Sequence, residues 1–363
     1  TDEALVLPLL LRAMVFSGRH EDVLNTNAGA EASPELDAEV HAAHAISLLA
    51  LQRREEAVEQ LALAAPFAES STWIRYAKSR VLVESGNMPD AIKELRDAIR
   101  QGAAPGYIWS YLGRLYRASE QLDPALDALT NAIRLRRRNA LDYFERCRVL
   151  FKQGQLEHAL ADCSAVSGSH PEWKEALILT GKIHFRLKEF AAAEQVLTQA
   201  YQQDFEDYHV ILMLAQTYQA LHRLERAEDL ARVALTIRPE VEFSQRLLAR
   251  ILLARNKGEQ AEQLLHPLIV AAPHDKYLRM QMLAALILQN KAREANMLIQ
   301  QHLVRFPHDA LARTVVARSY LATGKTQKAI ELLEDTGDAD TPVDLLLVLA
   351  EAYYEVGRYA DAL

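Results

Sequence analysis

Cysteine is scarce in this chain, which has two, Cys147 and Cys163, among 363 residues. Two cysteines are too few for a disulfide framework or a structural zinc site. In the repeating pattern set out below, they fall on facing helices of one repeat, at positions that hold small buried residues. We therefore expect two buried thiols in preference to a disulfide.

Glycine and proline are also few, with 13 and 12 residues, so long loops are not expected. Sustained alternation of valine, isoleucine and threonine, which is typical of strands, is missing. Alanine and leucine are abundant instead, and both favour helices. Half of the residues are apolar and a quarter are charged, which is the profile of a folded protein. The composition therefore predicts an all-α fold.

Long apolar runs are missing as well. A membrane-spanning helix needs about twenty consecutive apolar residues, and the closest stretch, residues 4–16, is shorter and contains Arg12. That stretch lacks the small-residue cleavage site of a signal peptide. A net charge of −8 gives no reason to expect nucleic-acid binding. Because the first helix is strongly apolar and Leu363 falls just inside a helix, we expect a segment of a longer protein.

Catalytic motifs are absent from the sequence, which has no glycine-rich phosphate loop, no G-x-S-x-G and no H-E-x-x-H. His41 and His44 lie three residues apart, a spacing that could hold a metal ion, but no third ligand is near in sequence. His184 occupies a tyrosine position of its repeat. We interpret these histidines as packing residues, and we expect no catalytic residues, no metal and no cofactor.

What the sequence does contain is a repeated pair of helical patterns. In residues 106–139, apolar and small side chains at i, i+3, i+4 and i+7 precede a break around 119–123 and a second helical pattern. The residues that carry the two patterns are Trp109, Leu112, Gly113 and Tyr116, followed by Ala125, Leu129 and Ala132. Gly113 and Ala125 let two helices approach closely, because a larger residue there would cost about 1–3 kcal/mol.

The pattern recurs at a constant interval along the chain. The repeats cover 4–37, 38–71, 72–105, 106–139, 140–173, 174–207, 208–241, 242–275, 276–309 and 310–342, with a partial repeat at 343–363. The small residue of the second helix recurs as Ala57, Ala91, Ala125, Ala159, Ala193, Ala227, Ala261 and Ala295, with Val23 in the first repeat. A proline closes the second helix at Pro171, Pro239, Pro273 and Pro307. We expect one continuous domain, because such repeats bury their apolar faces only against their neighbours.

The spacing tryptophan-x2-leucine-glycine-x2-tyrosine, followed by a small residue, resembles the tetratricopeptide repeat (TPR), a 34-residue helix–turn–helix module. The resemblance implies a right-handed α-solenoid of ten full repeats and a partial eleventh. It also implies that repeat positions 2, 5, 9 and 12 line a concave groove that holds a partner segment. The peptide-carboxylate clamp of some TPR proteins has an asparagine at position 9, which this chain lacks, so we do not carry that function over.

Seven of the ten residues at position 9 are cationic. In order, the position holds Arg12, Ile46, Arg80, Arg114, Arg148, Lys182, Gln216, Arg250, Ala284 and Arg318. Aromatic residues also fall at groove positions, and these are Trp73, Tyr76, Tyr107, Phe144, Phe151, Phe185, Phe243 and Tyr277. The candidate partner-binding residues are Arg80, Arg114, Arg117, Arg148, Lys152, Lys182, Arg186, Arg250, Arg318, Tyr107 and Phe144.

Two simpler explanations of the cations remain open. Glu84 lies four residues after Arg80, and Glu145 lies three before Arg148, close enough for ion pairs within one helix. Arginine is also simply a good helix former. About half of the aromatic residues could belong to the core. Unpaired like charges about 10 Å apart repel by about 0.4 kcal/mol in water, so a bare row of cations would favour an anionic partner.

The groove predicts a non-enzymatic protein-interaction scaffold that binds an acidic or extended segment of a partner protein. Two alternatives remain: binding of an anionic polysaccharide during export, and recruitment of substrate to a larger enzyme such as a glycosyltransferase. The length, uninterrupted repeats and ends also resemble the TPR segments of bacterial exopolysaccharide-export proteins. That resemblance implies a larger bacterial assembly or secretion protein and a periplasmic location.

Overall fold

In the computed structural model the chain is helical, and no strand occurs in the residues it describes, which are 3–29, 32–102, 104–322, 324–334 and 343–362. The helices are α1 (Glu3–Phe16), α2 (His20–Leu24), α3 (Pro34–Ala50), α4 (Arg54–Ala64), α5 (Thr72–Glu84), α6 (Met88–Arg100), α7 (Gly106–Ala118), α8 (Leu122–Leu135), α9 (Ala140–Lys152), α10 (Leu156–Ser169), α11 (Lys174–Arg186), α12 (Phe190–Gln203), α13 (Tyr208–Ala220), α14 (Leu224–Ile237), α15 (Glu242–Ala254), α16 (Gly258–Ala271), α17 (Lys276–Leu288), α18 (Ala292–Arg305), α19 (Ala310–Ala322), α20 (Thr326–Glu334) and α21 (Val343–Glu355). A short 3-10 helix, Ala65–Phe67, follows α4. Within the described residues, no helix is long and apolar enough to cross a membrane.

From the third repeat onward, the first helices begin at the interval of the sequence pattern. The first helices of the third to tenth repeats, α5 to α19, begin at residues 72, 106, 140, 174, 208, 242, 276 and 310, and α21 begins at 343. The first two repeats depart from this register, because Ser33 caps α3 early and Pro34 occupies its first turn. The end of the repeat 310–342 and the terminal Leu363 lie outside the described residues.

Small residues sit where the two helices of each repeat cross. Ala57, Ala91, Ala125 and their equivalents are buried along the chain. A Cβ added at Gly113 would lie 2.6 Å from Leu129 Cγ, so the first helix touches the second there without room for a side chain. The four closing prolines each lie two residues past the end of a second helix. The expected hairpin packing is therefore confirmed in these repeats.

One feature of the turns was missing from the sequence pattern. The second residue after the end of each first helix adopts a positive φ, and only some of these positions hold glycine. Glycine stands there at Gly86 and Gly154, whereas Glu120, Lys188 and His222 adopt the same left-handed conformation with φ of 57°, 63° and 56°. Residues other than glycine pay about 1–2 kcal/mol for this conformation. The hairpin thus keeps this turn geometry even where the residue does not favour it.

The chain divides into two compact units, which we call unit 1 (Thr1–Glu189) and unit 2 (Phe190–Leu363). The largest core of unit 1 includes Trp73, Ile74, Leu95 and Ile108. The core of unit 2 is mostly aliphatic and includes Ile211, Leu247, Leu265, Leu278 and Leu283. In each unit, consecutive hairpins stack through α-helical faces, as in an α-solenoid. The single continuous domain expected from the repeats stays a prediction.

The two cysteines correct one expectation. Cys147 in α9 and Cys163 in α10 are fully buried, as expected, but they form a disulfide with their Cα atoms 5.6 Å apart. The prediction of free thiols was therefore wrong. Small-residue positions on facing helices bring the backbones within the 4.4–6.8 Å that a disulfide normally spans. The packing that predicted buried thiols thus also permits the bond between them.

Candidate functional site

A concavity of about 420 Å³ in unit 1 brings together five of the predicted partner-binding residues. Its walls are one face each of α9 and α11, completed by Arg117 at the end of α7. The α9 residues are Phe144, Arg148, Phe151 and Lys152, and the α11 residues are Glu175, Ile178, Leu179 and Lys182. Spacings of three, four and seven residues place each set on one side of its helix. The side-chain oxygen of Asn139 accepts a hydrogen bond from the Asp142 amide, which caps α9 and fixes where that face begins.

A shared carboxylate organises the cations of this site. Buried Glu145 accepts a hydrogen bond from Arg117 Nε at 2.8 Å and one from Arg148 Nη1 at 3.3 Å. Lys152 Nζ donates to Glu120 Oε1 at 2.6 Å. Lys182 has no hydrogen-bond or ion-pair partner among the described residues. Two arginines therefore divide one carboxylate, and Lys182 on the other wall has none.

The floor of the concavity is apolar. Phe144 is buried and packs against Trp173 with the ring centroids 4.7 Å apart. The Arg148 guanidinium lies 5.8 Å from the Phe144 ring centroid, and the Arg186 guanidinium lies 5.4 Å from that of Phe151. Cations near aromatic faces gain about 0.5–1 kcal/mol at exposed sites. The site can therefore bind a ligand that offers both negative charge and an apolar side chain.

The predicted residues nearer the N-terminus belong to an aromatic cluster instead. Tyr107 packs on Phe16, Trp73 and Tyr76, with ring centroids 5.3, 5.8 and 5.2 Å away. Trp73 and Tyr76 are buried, so their faces are not open to a sugar or a peptide.

Arginines cover the edge of this cluster. The Arg80 guanidinium donates to the Tyr76 hydroxyl at 3.2 Å and lies 5.4 Å from the Tyr111 ring centroid, and that of Arg114 lies 5.7 Å from the same ring. Burial raises the pKa of Tyr111 to about 12, although the nearby Arg80 opposes this. The hydroxyl therefore stays neutral over the whole physiological range.

Arg250 and Arg318 lie in unit 2, on α15 and α19. Arg250 Nε donates to Gln219 Oε1 at 3.0 Å, and burial lowers the pKa of Arg250. Arg318 is exposed and has no partner among the described residues. Neither residue is part of the concavity in unit 1.

The two ion pairs considered within single helices have different outcomes. Glu145 does pair with Arg148. Glu84 instead pairs with Arg54 at 3.0 Å, so the pair with Arg80 that the spacing allowed is not the one formed.

Sequence reasoning missed Glu175, Ile178 and Leu179, which precede Lys182 by seven, four and three residues. Their shared helical face was the signal that could have found them.

His41, His44 and His184 contact other residues of this chain through their ring nitrogens. His41 Nδ1 donates to Gln60 Oε1 at 2.7 Å, and His44 Nε2 donates to the Thr26 carbonyl at 2.9 Å. His184 Nδ1 lies 2.7 Å from Glu189 Oε2. No group of three or more side chains able to hold a metal ion occurs in the described part of the chain. Their contacts are those of packing and helix-end residues.

Two-helix hairpins of about 34 residues, with helices that cross at a small residue, define an α-solenoid repeat protein. Sequence profiles of the tetratricopeptide repeat match residues 76–140, 144–207 and 314–363, residues 184–243, and residues 244–267. Together these matches cover more than half of the chain. The chain therefore belongs to the tetratricopeptide repeat family, whose members generally act as non-catalytic scaffolds for protein–protein interaction.

Solved structures agree with this fold. A tetratricopeptide repeat protein from Parabacteroides merdae is 20% identical, with a TM-score of 0.51 over 64% of this chain and 92% of its own. A chain of the APC/C hetero-tetramer Cut9-Hcn1 is also 20% identical, with a TM-score of 0.54 over 68% of this chain and 48% of its own. At this identity the likeness concerns the fold alone. No curated protein matches the sequence significantly.

Proposed function

We propose that this chain is a non-enzymatic scaffold that holds an acidic segment of a partner protein in the concavity of unit 1. The observation that carries the proposal is Lys182, a cation without a partner among the described residues that shares this concavity with two arginines dividing one carboxylate. An incoming carboxylate would relieve that imbalance. Charge-assisted hydrogen bonds of this kind are about twice as strong as neutral ones.

The apolar floor supports a protein segment over a purely polar anion. Ile178, Leu179 and Phe151 offer contact area between the cations, and about 25 cal/mol is gained per Å² of apolar surface removed from water. A segment that alternates acidic and apolar side chains satisfies both parts of the site. Stacking on sugars needs open aromatic faces, whereas Phe144 in this concavity is buried and packs against Trp173.

The disulfide bears on the compartment. Disulfides persist in oxidising environments and are rare where glutathione and thioredoxin keep thiols reduced. We therefore extend the proposal to a bacterial periplasmic setting, supported by the Cys147–Cys163 bond. Alkylation of the protein isolated from its cell, followed by mass determination, checks this point. Two alkylated thiols before reduction would contradict it.

The binding proposal is tested with a fluorescent peptide of alternating glutamate and leucine, titrated with the purified chain. Lys182→Glu should weaken binding at least tenfold, because it places a carboxylate where the ligand's own would sit. Lys93→Glu is the matched control, since it makes the same charge change at an exposed position on α6. The control should bind as the wild type does. Binding should also weaken as salt is raised.

Other outcomes would reject this function. Equal affinities of the two variants would show that the concavity is not the binding surface. A polyuronate that binds the wild type and loses affinity for Lys182→Glu, while the peptide does not bind at all, would establish the polysaccharide alternative. Transferase or hydrolase activity of the purified chain would contradict the non-enzymatic assignment.

A further inference from the structure

A cleft of about 300 Å³ lies between the second helices α6 and α8 of unit 1, with one face of the first helix α7 between them. We call it the α6–α8 cleft. Its lining includes Arg96 and Ile99 from α6, Trp109, Leu112 and Tyr116 from α7, and Asp127 from α8. Ligand pockets in proteins have volumes of about 300–1,000 Å³, so the cleft has room for one large side chain.

The α6–α8 cleft lies on the other side of α7 from the groove that the family resemblance implies. Arg114, at repeat position 9, is two residues from Leu112 and two residues from Tyr116. Two residues turn an α-helix by about 200°, so Arg114 points away from the cleft. None of the residues that line the cleft holds repeat position 2, 5, 9 or 12. The cleft is therefore a surface separate from that groove.

The repeats before and after this one close the equivalent space with an ion pair. In the preceding repeat, Lys78 Nζ donates to Glu94 Oε1 at 2.6 Å. In the following repeat, Arg146 Nη2 donates to Asp162 Oδ1 at 2.8 Å. Each pair joins the seventh residue of its repeat to the twenty-third, that is, the first helix to the second. Arg146 Nη1 also donates to Thr130 Oγ1 on α8 at 3.4 Å, so the arginine spans the space between α8 and α10.

The repeat that contains the cleft lacks this pair. Its seventh and twenty-third residues are Leu112 and Ala128, both buried, and neither can form an ion pair across the space. Trp109 and Tyr116 are half-buried against the core, and neither has a hydrogen bond or a ring contact among the described residues. Pockets with aromatic walls commonly take a single anchoring side chain of a partner. The missing ion pair thus leaves such a pocket open.

The two walls of the cleft carry opposite charges. Arg96 on α6 is exposed and has no carboxylate partner in the described part of the chain. Arg100, also on that wall, pairs only with Asp97 of its own helix, at 2.8 Å. On the other wall, the Asp127 carboxylate of α8 is exposed and has no cation partner among the described residues. A complementary occupant therefore carries an acid on one flank of its apolar anchor and a base on the other.

The space beside the cleft indicates an elongated occupant. A second concavity of about 390 Å³ shares Arg96 and Tyr116 with the cleft and extends along α6 to Pro89. From Pro89 to Ile99 an α-helix rises about 15 Å, nearly three turns. In an extended segment, the neighbours of an inward-facing residue point outward. In a helix, the residues before and after it lie about 100° to either side and can reach both walls.

We propose that the α6–α8 cleft docks a short α-helix of a partner protein. The helix places one large apolar side chain against Trp109 and Tyr116, a carboxylate toward Arg96 and a cation toward Asp127. The opposite charges of the two walls set the direction in which the helix lies. This surface is separate from the concavity between α9 and α11 and does not rest on the function proposed there.

The experiment uses the full chain and a labelled, alanine-rich peptide of about fifteen residues, a length at which isolated helices begin to form. Its centre is glutamate, phenylalanine and lysine, and fluorescence anisotropy gives the affinity. Arg96→Glu should weaken binding at least tenfold, because it places a carboxylate against that of the peptide. Lys93→Glu is the matched control, since it makes the same charge change at an exposed position of α6 outside the cleft. The control should bind as the wild type does.

A reciprocal exchange of charge separates recognition from structural damage. A peptide with lysine on both sides of the phenylalanine should bind the wild type at least tenfold more weakly than the first peptide does. The same peptide should bind Arg96→Glu about as tightly as the first peptide binds the wild type. A variant that had merely lost its fold could not regain affinity in this way, so absence of this rescue would overturn the proposal.

A double variant tests the cleft itself. Leu112→Arg with Ala128→Asp brings the ion pair of the following repeat into this one and should abolish binding, with an unchanged helical signal in circular dichroism. A peptide with serine in place of phenylalanine should bind at least tenfold more weakly. Lys182→Glu should bind the first peptide as the wild type does, which separates the two surfaces of unit 1.

Three results would contradict the proposed helix docking. Equal losses in Arg96→Glu and Lys93→Glu would show that the cleft is not the binding surface. An equal loss in Lys182→Glu would place the peptide in the other concavity. A wild-type dimer in sedimentation that Arg96→Glu dissociates would assign the cleft to a second copy of this chain and not to a partner protein.

Discussion

The second residue of the first helix has opposite surroundings in the two units. In unit 1, Trp73 is 1% exposed and Tyr107 packs into the same aromatic cluster under Phe16. In unit 2, Phe243 and Tyr277 occupy the equivalent position and are open to solvent. The repeat register therefore sets where a side chain lies on the hairpin. Whether it becomes core or surface depends on what the neighbouring helices place over it.

The units also differ in how the second helix of one repeat contacts the next repeat. In unit 2, three equivalent carboxylates pair with cations of the following repeat, as Glu194 with Arg223, Glu228 with Lys257 and Glu262 with Lys291. In the third to fifth repeats, which belong to unit 1, the same position holds Ile92, Leu126 and Leu160, all packed against the core. The stacking of unit 2 thus relies partly on ion pairs, where unit 1 uses apolar contact at the same place.

The largest effect should come from replacing Trp73, which is buried at the second position of its first helix. Trp73→Ala removes a fully buried ring and should lower the free energy of unfolding by about 3–5 kcal/mol. Tyr277→Ala, at the equivalent exposed position, should change it by less than about 0.5 kcal/mol. Urea titration of both variants, followed by circular dichroism, gives the two values. Similar losses in both would show that the units do not differ in the way described.

Reduction of the disulfide should destabilise unit 1 next most strongly. The bond closes a loop with a sequence separation of 16, for which chain entropy predicts a stabilisation of about 3 kcal/mol. In dithiothreitol the wild type should lose this stabilisation. Hydrogen exchange at increasing urea should then show that the residues of unit 1 unfold at a lower urea concentration. A variant with Cys147→Ala and Cys163→Ala should not respond to dithiothreitol. A response confined to unit 2 would contradict the assignment.

An intermediate effect is expected from the carboxylates of unit 2. Glu228 is buried and bonded by Arg232, Arg255 and Lys257. Burial alone would raise the pKa of Glu228, but the hydrogen bonds from its cations outweigh it and the pKa lies below its ordinary value of 4.5. Glu228→Gln weakens these pairs and should lower the free energy of unfolding by about 1–3 kcal/mol at pH 7. Removing one partner of a buried ion pair costs up to about 3–5 kcal/mol, and the cost here should be smaller because the cations are partly exposed.

The effect of Glu228→Gln should also depend on pH. A lowered pKa in the folded state means that the stabilisation is complete above about pH 4.5 and is lost as the pH falls through the folded value. The difference in stability between the wild type and Glu228→Gln should therefore shrink as the pH is lowered below 4.5. Leu160→Ala, at the equivalent position in unit 1, should show a difference that does not depend on pH. Parallel pH profiles for the two variants would exclude the ion-pair explanation.

The smallest effects should come from the turns, with opposite signs in the two units. Gly154 of unit 1 and His222 of unit 2 have φ of 76° and 56° at the same place in their repeats. Gly154→Ala should cost about 1 kcal/mol, since a Cβ is unfavourable in this conformation. His222→Gly should stabilise by about 0.5 kcal/mol, because relief of strain slightly exceeds the entropy that glycine loses. Thermal unfolding measures both changes in stability. Changes of the same sign in the two variants would contradict the shared turn geometry.

Much of this fold could be predicted from the sequence because helix packing demands small residues at fixed intervals. Ala91, Gly113 and Ala125 marked the crossings, and from residue 72 onward the first helices begin at the interval of the sequence pattern. The first two repeats could not be predicted as well, since Ser33 and Pro34 start α3 early where the repeat pattern is weak. Positive φ at Lys188 had no signal, because lysine does not favour it.

Sequence reasoning identified the cations of the candidate site and missed the carboxylates that pair with them. Position 9 picked out Arg148 and Lys182, and both line one concavity. The pair between Arg117 and Glu145 joins two consecutive repeats, and no spacing rule within a helix reaches so far. The bond between Cys147 and Cys163 escaped for a related reason, since burial was predictable but the separation of the backbones was not. Side-chain contacts between helices depend on atomic separations, which the repeat pattern alone does not give.

The shared carboxylate of Glu145 has a consequence for any partner of unit 1. It already occupies the two arginines as a tethered competitor, so a carboxylate of the proposed ligand would find Lys182 open but would have to exchange with Glu145 to reach the arginines. The contribution of the arginines to affinity is then the difference between two similar interactions, which favours fast release over long residence. Glu145→Gln would weaken that competition while Arg117 and Arg148 remained, and the chain would hold its partner longer at the expense of its own stability.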